Sequence, residues 1–328
     1  MVTLFTAMRT ALLVAERDDD GAWTARQRLD GEEVEPECVA ATGSTVLCGT
    51  FDDGLYRSTD GGESFERVGE GTVGERVTSL SVGPDGTVWA GTEPSAVYRS
   101  GDDGETWTEK EGLTDLPSAS EWSFPPRPHT HHVRWIEPAP DDPDHLYVGI
   151  EAGALVQTRD GGETWEDRVQ GARRDNHSLT THPDVPERAW AAAGDGYAET
   201  DDGGATWDHP QDGLGHRYCW SVAVDPGDPD TVLLSSASGP RSAHSADTAE
   251  SYVYRKRGEE WERLEGLPTG EGVLRAVLAA GSDAGEAYAA NNRGLFRTGD
   301  AGTTWSRLPV DWPAAFESRT VRGLAVVD

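Results

Sequence analysis

Apolar residues along this chain fall in short runs that alternate with polar ones or stand unbroken. Nowhere do they recur at the three-to-four-residue spacing of an amphipathic helix. Segment 77–110 shows the pattern most clearly. VTSLSVGP (77–84), TVWAGT (87–92), AVYRSG (96–101) and ETWTEK (105–110) are rich in β-branched and aromatic residues, with Gly, Pro and Asp between them. Each reads as a strand, and we label the four A to D. The A-to-B turn chemistry returns in EPAPDDPDHLYVGI (137–150) and VDPGDPDTVLLSS (224–236), so the unit of four strands is used more than once.

The repeat is explicit at the C-to-D turn. STDGGESF (58–65), SGDDGETW (100–107), TRDGGETW (158–165), TDDGGATW (200–207) and TGDAGTTW (298–305) share the pattern Ser/Thr-x-Asp-x-Gly-x-Ser/Thr-aromatic. YRKRGEEW (254–261) keeps the Gly and Trp without the Asp, and RDDDGAW (17–23) is a shortened version. Each position has a physical reason. The Asp carboxylate accepts backbone N–H groups within a tight turn, the Gly supplies a positive φ without steric cost, and the aromatic ring fills the space between neighbouring sheets. The anchors Trp23, Phe65, Trp107, Trp165, Trp207, Trp261 and Trp305 are separated by 42, 42, 58, 42, 54 and 44 residues. These lie near the period of a four-stranded propeller blade, and seven anchors predict seven blades.

Residues 2–29 supply strands B, C and D of a first blade without a strand A, and RTVRGLAVV (319–327) reads as a strand A with no blade after it. Pairing the two closes a ring and covers the sheet edges. The expectation is an all-β chain, a seven-bladed β-propeller of antiparallel four-stranded blades occupying 1–328 as one domain.

The Asp-box segments resemble the BNR/Asp-box repeat family, and the resemblance covers nearly the whole chain. Its members include sialidases, sortilin-type receptors, xyloglucan-active glycosidases and photosystem II assembly-factor-like proteins. The resemblance implies that the boxes sit at peripheral C-to-D turns as structural elements, so Asp60, Asp102, Asp160, Asp202 and Asp300 receive no catalytic role. It is specific for fold and nearly silent on activity, which must be sought in the site.

Charge narrows the partners. The chain carries 59 acidic against 28 basic residues, a formal charge of −31, and only Lys110 and Lys256 are lysines. The acids are spread along the chain, which describes a solvated acidic surface; we read it as the signature of a salt-in halophile. Such a surface repels phosphates and argues against nucleic acid. Arg9 interrupts the apolar N-terminal stretch and no run is long enough to span a bilayer, so a membrane is not expected and a cytoplasmic location is. Cys38, Cys48 and Cys219 lack metal-type spacing and read as small buried side chains.

The site is sought where the repeat is broken. Residues 111–131 enlarge the connection into the fourth blade, and 236–250 enlarge a B-to-C loop of the sixth; both belong to one face, around the channel mouth. The A strands begin HTHHVRWI (129–136), RRDNHSL (173–179), HRYCWSV (216–222), EGVLRAV (271–277) and RTVRGLA (319–325). Aligned on their apolar residues, they place Arg134, His177, Trp220, Arg275 and Arg322 in one column. His132, Asp175 and Tyr218 stand one layer nearer the mouth, with His131, Asn176 and Arg217 beside them and Arg241 and His244 on the insert. Arg and His gathered in so acidic a chain predict a pocket for an anionic small molecule or glycan, or for a protein partner. Arginines between blades can instead be structural, paired with carboxylates. No cofactor is required, although His131, His132 and His177 could hold a divalent metal at the channel mouth.

Two function classes remain. Resemblance to sialidases implies an arginine cluster for a carboxylate, which Arg134, Arg275 and Arg322 could imitate, with Asp175 or Tyr218 available for chemistry. However, the Arg-Ile-Pro signature is absent, and xyloglucanase-like relatives work between two propellers. The preferred expectation is a non-catalytic binding or assembly propeller; the alternative is a carbohydrate-active enzyme, hydrolase or lyase, acting at the same pocket.

Overall fold

The computed structural model describes residues 2–31 and 34–328. Among these, the strands form seven small antiparallel sheets whose innermost strands pack side by side around a complete circle. This is the expected seven-bladed propeller. In blade 3 the four strands are Val77–Val82, Val88–Thr92, Val97–Ser100 and Thr108–Lys110, close to the runs read from the sequence. The ring closes as anticipated: Val321–Val327 pairs antiparallel with Val2–Met8, from Thr3 opposite Val327 to Met8 opposite Val321. Ala11–Arg17 and Trp23–Arg28 complete that first blade.

Each full box folds as its chemistry requires. The Asp102 carboxylate accepts the N–H and the hydroxyl of Thr106, while Ser100 Oγ accepts the N–H of Gly104 at 2.9 Å. Asp60, Asp160, Asp202 and Asp300 repeat this arrangement, so each carboxylate is consumed by its own turn. Gly204 shows why the fifth position is glycine: its φ is +83°, and a Cβ there would stand 2.6 Å from the Tyr147 ring of the preceding blade. The apolar faces of adjacent sheets meet between blades, as where Tyr147, Leu155 and Ala139 of blade 4 pack with Leu179, Ala191, Ala198 and Trp207 of blade 5.

Blades 4 and 5 depart from the four-stranded plan. Their outer strands shrink to single bridges, Gln157 to Glu166 and Glu199 to Asp208. In blade 4 the next residue, Asp167, is drawn away by the insert, accepting the N–H and hydroxyl of Ser118. In blade 5 Pro210 follows two residues after the bridge, where it cannot donate to a ladder.

Candidate functional site

One backbone feature builds the site. In six of the seven innermost strands the pairing to strand B slips by one residue: between Pro36 and Cys38, Val77 and Ser79, Val133 and Trp135, Asn176 and Ser178, Cys219 and Ser221, and Val321 and Gly323. The residues left unpaired are Glu37, Thr78, Arg134, His177, Trp220 and Arg322. A bulge bends its strand and re-aims the extra side chain, and bulges concentrate beside functional sites. In the seventh blade the strand starts only at Val277, and Arg275 occupies the corresponding place just before it.

Five of the six bulge residues, all but His177, line a cavity of about 610 Å³ at one mouth of the channel. Asp175 and Tyr218 from the same strand ends join them, as does Glu151 from a B-to-C turn. Both inserts contribute walls, Phe124–Arg127 from one and Pro240, Arg241 and His244 from the other. The volume is in the range of small-molecule and peptide-end pockets.

On one side Glu37, almost fully buried, accepts hydrogen bonds from Arg322 and, at 3.0 Å, from Arg9. Phe51 carries the Arg9 and Arg76 guanidiniums 3.9 and 4.0 Å from its ring centroid, and Arg127 reaches Glu93 behind them. At the centre Trp220 is surrounded by cations and imidazoles: Arg275 at 3.5 Å, Arg134 at 4.9 Å, His177 at 4.3 Å and His244 at 4.6 Å. Arg275 is wholly buried and, among the described residues, pairs with no carboxylate; it donates to the Val321 carbonyl at 2.8 Å and to His244 Nδ1 at 3.3 Å. Because Nδ1 of His244 accepts, its Nε2 carries the proton and donates to the Tyr218 hydroxyl at 3.1 Å. Burial and the charge of Arg275 push His244 down to about 2, so that ring is neutral at physiological pH.

The carboxylates are pushed apart. Burial raises the pKa of Glu151, but the hydrogen bond and field of His132, joined by His177 and Arg134, outweigh it and hold the group ionised. Asp175 moves upward, through burial and the negative field of Glu151, against the pull of His177. Burial lowers His177 and raises the Tyr218 phenol.

Of the residues singled out from sequence, His132, Arg134, Asp175, Tyr218, Trp220, Arg241, His244 and Arg322 line the cavity. His177 and Arg275 lie beneath it as a buried layer around Trp220. Three others fall away. His131 turns edge-on to Trp122, Asn176 is buried and donates to the Arg173 carbonyl, and Arg217 is exposed off the cavity. The three histidines therefore do not converge as a metal triad, since neighbouring residues on an extended segment point oppositely. Glu37, Thr78 and Glu151 were missed. The first two stand two residues before Val39 and Leu80, so the alignment that found the arginine column reaches them as well. Glu151 lies on a turn with no such marker.

The fold and its mouth thus define a class, a seven-bladed propeller with a cavity of charged and aromatic side chains over the channel. No protein-family model matches the chain. Over 156 residues, 44% of the chain, it is 26% identical to the photosystem II assembly lipoprotein Ycf48 of Synechococcus sp. strain CC9605, of which the match spans 43%. Among solved structures, Ycf48 bound to D1 peptide superposes with a TM-score of 0.59 at 17% identity, covering 84% of this chain and 82% of that one. An ancestral GH74 enzyme superposes with a TM-score of 0.62 at 14% identity, covering 99% of this chain and 40% of that one. The structural likenesses establish the fold. Among the described residues no helix is long and apolar enough to cross a membrane.

Proposed function

We propose that this protein is a non-catalytic partner-binding propeller, of assembly-factor type, that receives an anionic group of its ligand or protein partner in the channel-mouth cavity. One observation carries the reading: Arg9, Arg127, Arg134, Arg241 and Arg322 stand on the wall of a single cavity in a chain of formal charge −31. Guanidinium groups match planar anions in geometry and in charge. Arg241, on the second insert, is exposed and has no carboxylate partner among the described residues, so it is placed to meet an incoming group, whereas Arg127 is engaged with Glu93 and Arg9 and Arg322 with Glu37. The similarity to Ycf48, a structure of which holds a D1 peptide, supports a protein partner over a small molecule. We read the whole of 1–328 as one domain and, from its composition and its unpaired buried thiols, as cytoplasmic.

A second reading is favoured by the carboxylates. Glu151 is held ionised while Asp175 is raised, the division of roles that general-base and general-acid pairs show, and it would suit a glycan-cleaving enzyme. One experiment separates the two. Immobilised acidic peptides and acidic uronate oligosaccharides, each with a neutral counterpart, are offered to the wild-type chain and to the variant Arg241→Ala. Binding of acidic peptides, weakened at least about tenfold in the variant at unchanged melting temperature, supports the partner reading. Cleavage of the oligosaccharide, lost in Asp175→Asn, establishes the enzyme instead. Absence of binding to any acidic probe overturns both.

A further inference from the structure

Below the arginine wall the cavity has a corner that anion binding does not use, made of Glu151, Asp175 and His177. Each side chain commits one polar atom to the fold. Glu151 Oε2 accepts from His132 Nε2 at 3.0 Å, Asp175 Oδ1 accepts the N–H of Ala152 at 2.9 Å, and His177 Nδ1 meets the Cys219 carbonyl at 2.7 Å. A carbonyl only accepts, so Nδ1 of His177 bears a proton, and in the neutral ring Nε2 then presents a bare lone pair. Among the described residues that nitrogen has no hydrogen-bond partner, on a side chain 1% exposed. It lies 3.9 Å from Glu151 Oε1 and 3.9 Å from Asp175 Oδ2. Ligand-capable atoms of all three residues fall within 4.8 Å of one another.

Three electron-rich atoms thus face a common point, and two of them belong to carboxyl groups. Protonating His177 would set an ion pair 3.9 Å from each carboxylate but no hydrogen bond, whereas a bound cation would be coordinated by all three atoms. Donors held at roughly 2.0–2.2 Å from one ion stand about 3–4 Å apart, the separation seen here within small side-chain adjustments. The Nδ1–H to carbonyl bond of His177 is also the arrangement that orients metal-binding imidazoles, and His132 fixes Glu151 in the same manner from behind.

We infer that Glu151, Asp175 and His177 form a site for a divalent transition-metal ion such as Zn²⁺ or Mn²⁺ at the floor of the channel-mouth cavity. One imidazole and two carboxylates select this class over Mg²⁺ or Ca²⁺, which prefer oxygen alone. Glu151 and Asp175 both line the cavity, so an ion between them borders it. His132 is a positioning residue. The site does not depend on the partner reading and would serve either function class.

The test uses the full chain, stripped with EDTA, dialysed, and titrated with Zn²⁺ and separately Mn²⁺ by calorimetry. Molar NaCl suppresses diffuse binding to the acidic surface. The expected result is one ion per chain, with affinity reduced at least about tenfold in Glu151→Gln, Asp175→Asn and His177→Gln, and unchanged in His131→Gln. Asp175 is partly exposed, so Asp175→Asn retains the fold and decides the matter should His177→Gln unfold. Bound Mn²⁺ is read independently by its paramagnetic resonance signal. Absence of stoichiometric binding in the wild type, or equal binding in the Glu151→Gln, Asp175→Asn double variant, overturns the site.

Discussion

Trp220 is the keystone of the channel mouth, and truncating it measures how far the buried cations depend on it. Its ring is 4% exposed and packs against Arg275, Arg134, His177 and His244. Trp220→Ala removes a buried aromatic side chain, a change that costs about 3–5 kcal/mol in well-packed interiors. The two cation–π contacts, each worth roughly 0.5–2 kcal/mol, do not add in full, because water entering from the adjoining cavity rehydrates the guanidiniums. The expected loss is therefore about 3–5 kcal/mol. For 328 residues the unfolding entropy is about 0.7 kcal/mol per kelvin, so the melting temperature should fall by roughly 4–7 °C. Trp220→Phe, which keeps an aromatic face for Arg275, should recover at least about half of the loss. Denaturant unfolding followed by circular dichroism, with calorimetry for the melting temperature, supplies both numbers. A Trp220→Ala protein within about 1 kcal/mol of wild type would refute the reasoning, since the layer beneath the cavity would then be held by something other than this ring.

Two further predictions concern charge. Hydrogen bonds within the box turns, chiefly from Thr106 and Thr164, hold Asp102 and Asp160 at about 2, below the usual 3.8. A depressed carboxyl contributes stability that is complete above its unfolded pKa, near 4, and is lost as pH falls through the folded value. The stability gap between wild type and the double variant Asp102→Asn, Asp160→Asn should thus be widest at neutral pH and close between about pH 4 and 2; a gap independent of pH would contradict it. The acidic surface, read as an adaptation to molar salt, predicts a melting temperature that climbs from 0.1 M to about 3 M KCl as self-repulsion is screened. A flat profile would assign the charge another purpose.

The sequence was most legible where the repeat repeats. Box turns, strand runs and the closing of the ring follow from local chemistry that each blade states again, as in Ser58–Phe65 and Thr298–Trp305. It was less legible where tertiary contacts compete, as when Ser118 captures Asp167 and dissolves the outer strand of blade 4. The cavity lies between these cases. A one-residue slip recurs in six innermost strands, so the backbone offers equivalent positions, and four of the six residues, Arg134, His177, Trp220 and Arg322, stand in the column legible in the sequence. What it could not weigh was direction and background. His131 and His132 are adjacent, yet only the second faces the cavity, because extended backbone alternates its side chains. Arginines stood out against 59 acidic residues, while Glu151, one acid among those 59, did not, although it meets His132 at 3.0 Å and lies 3.9 Å from His177. Rarity of a residue type against its background is therefore a signal for half of such a site only. In a strongly acidic protein the complementary half has to be read from geometry: from which carboxylate is buried, which oxygen is left free, and what lone pair it faces.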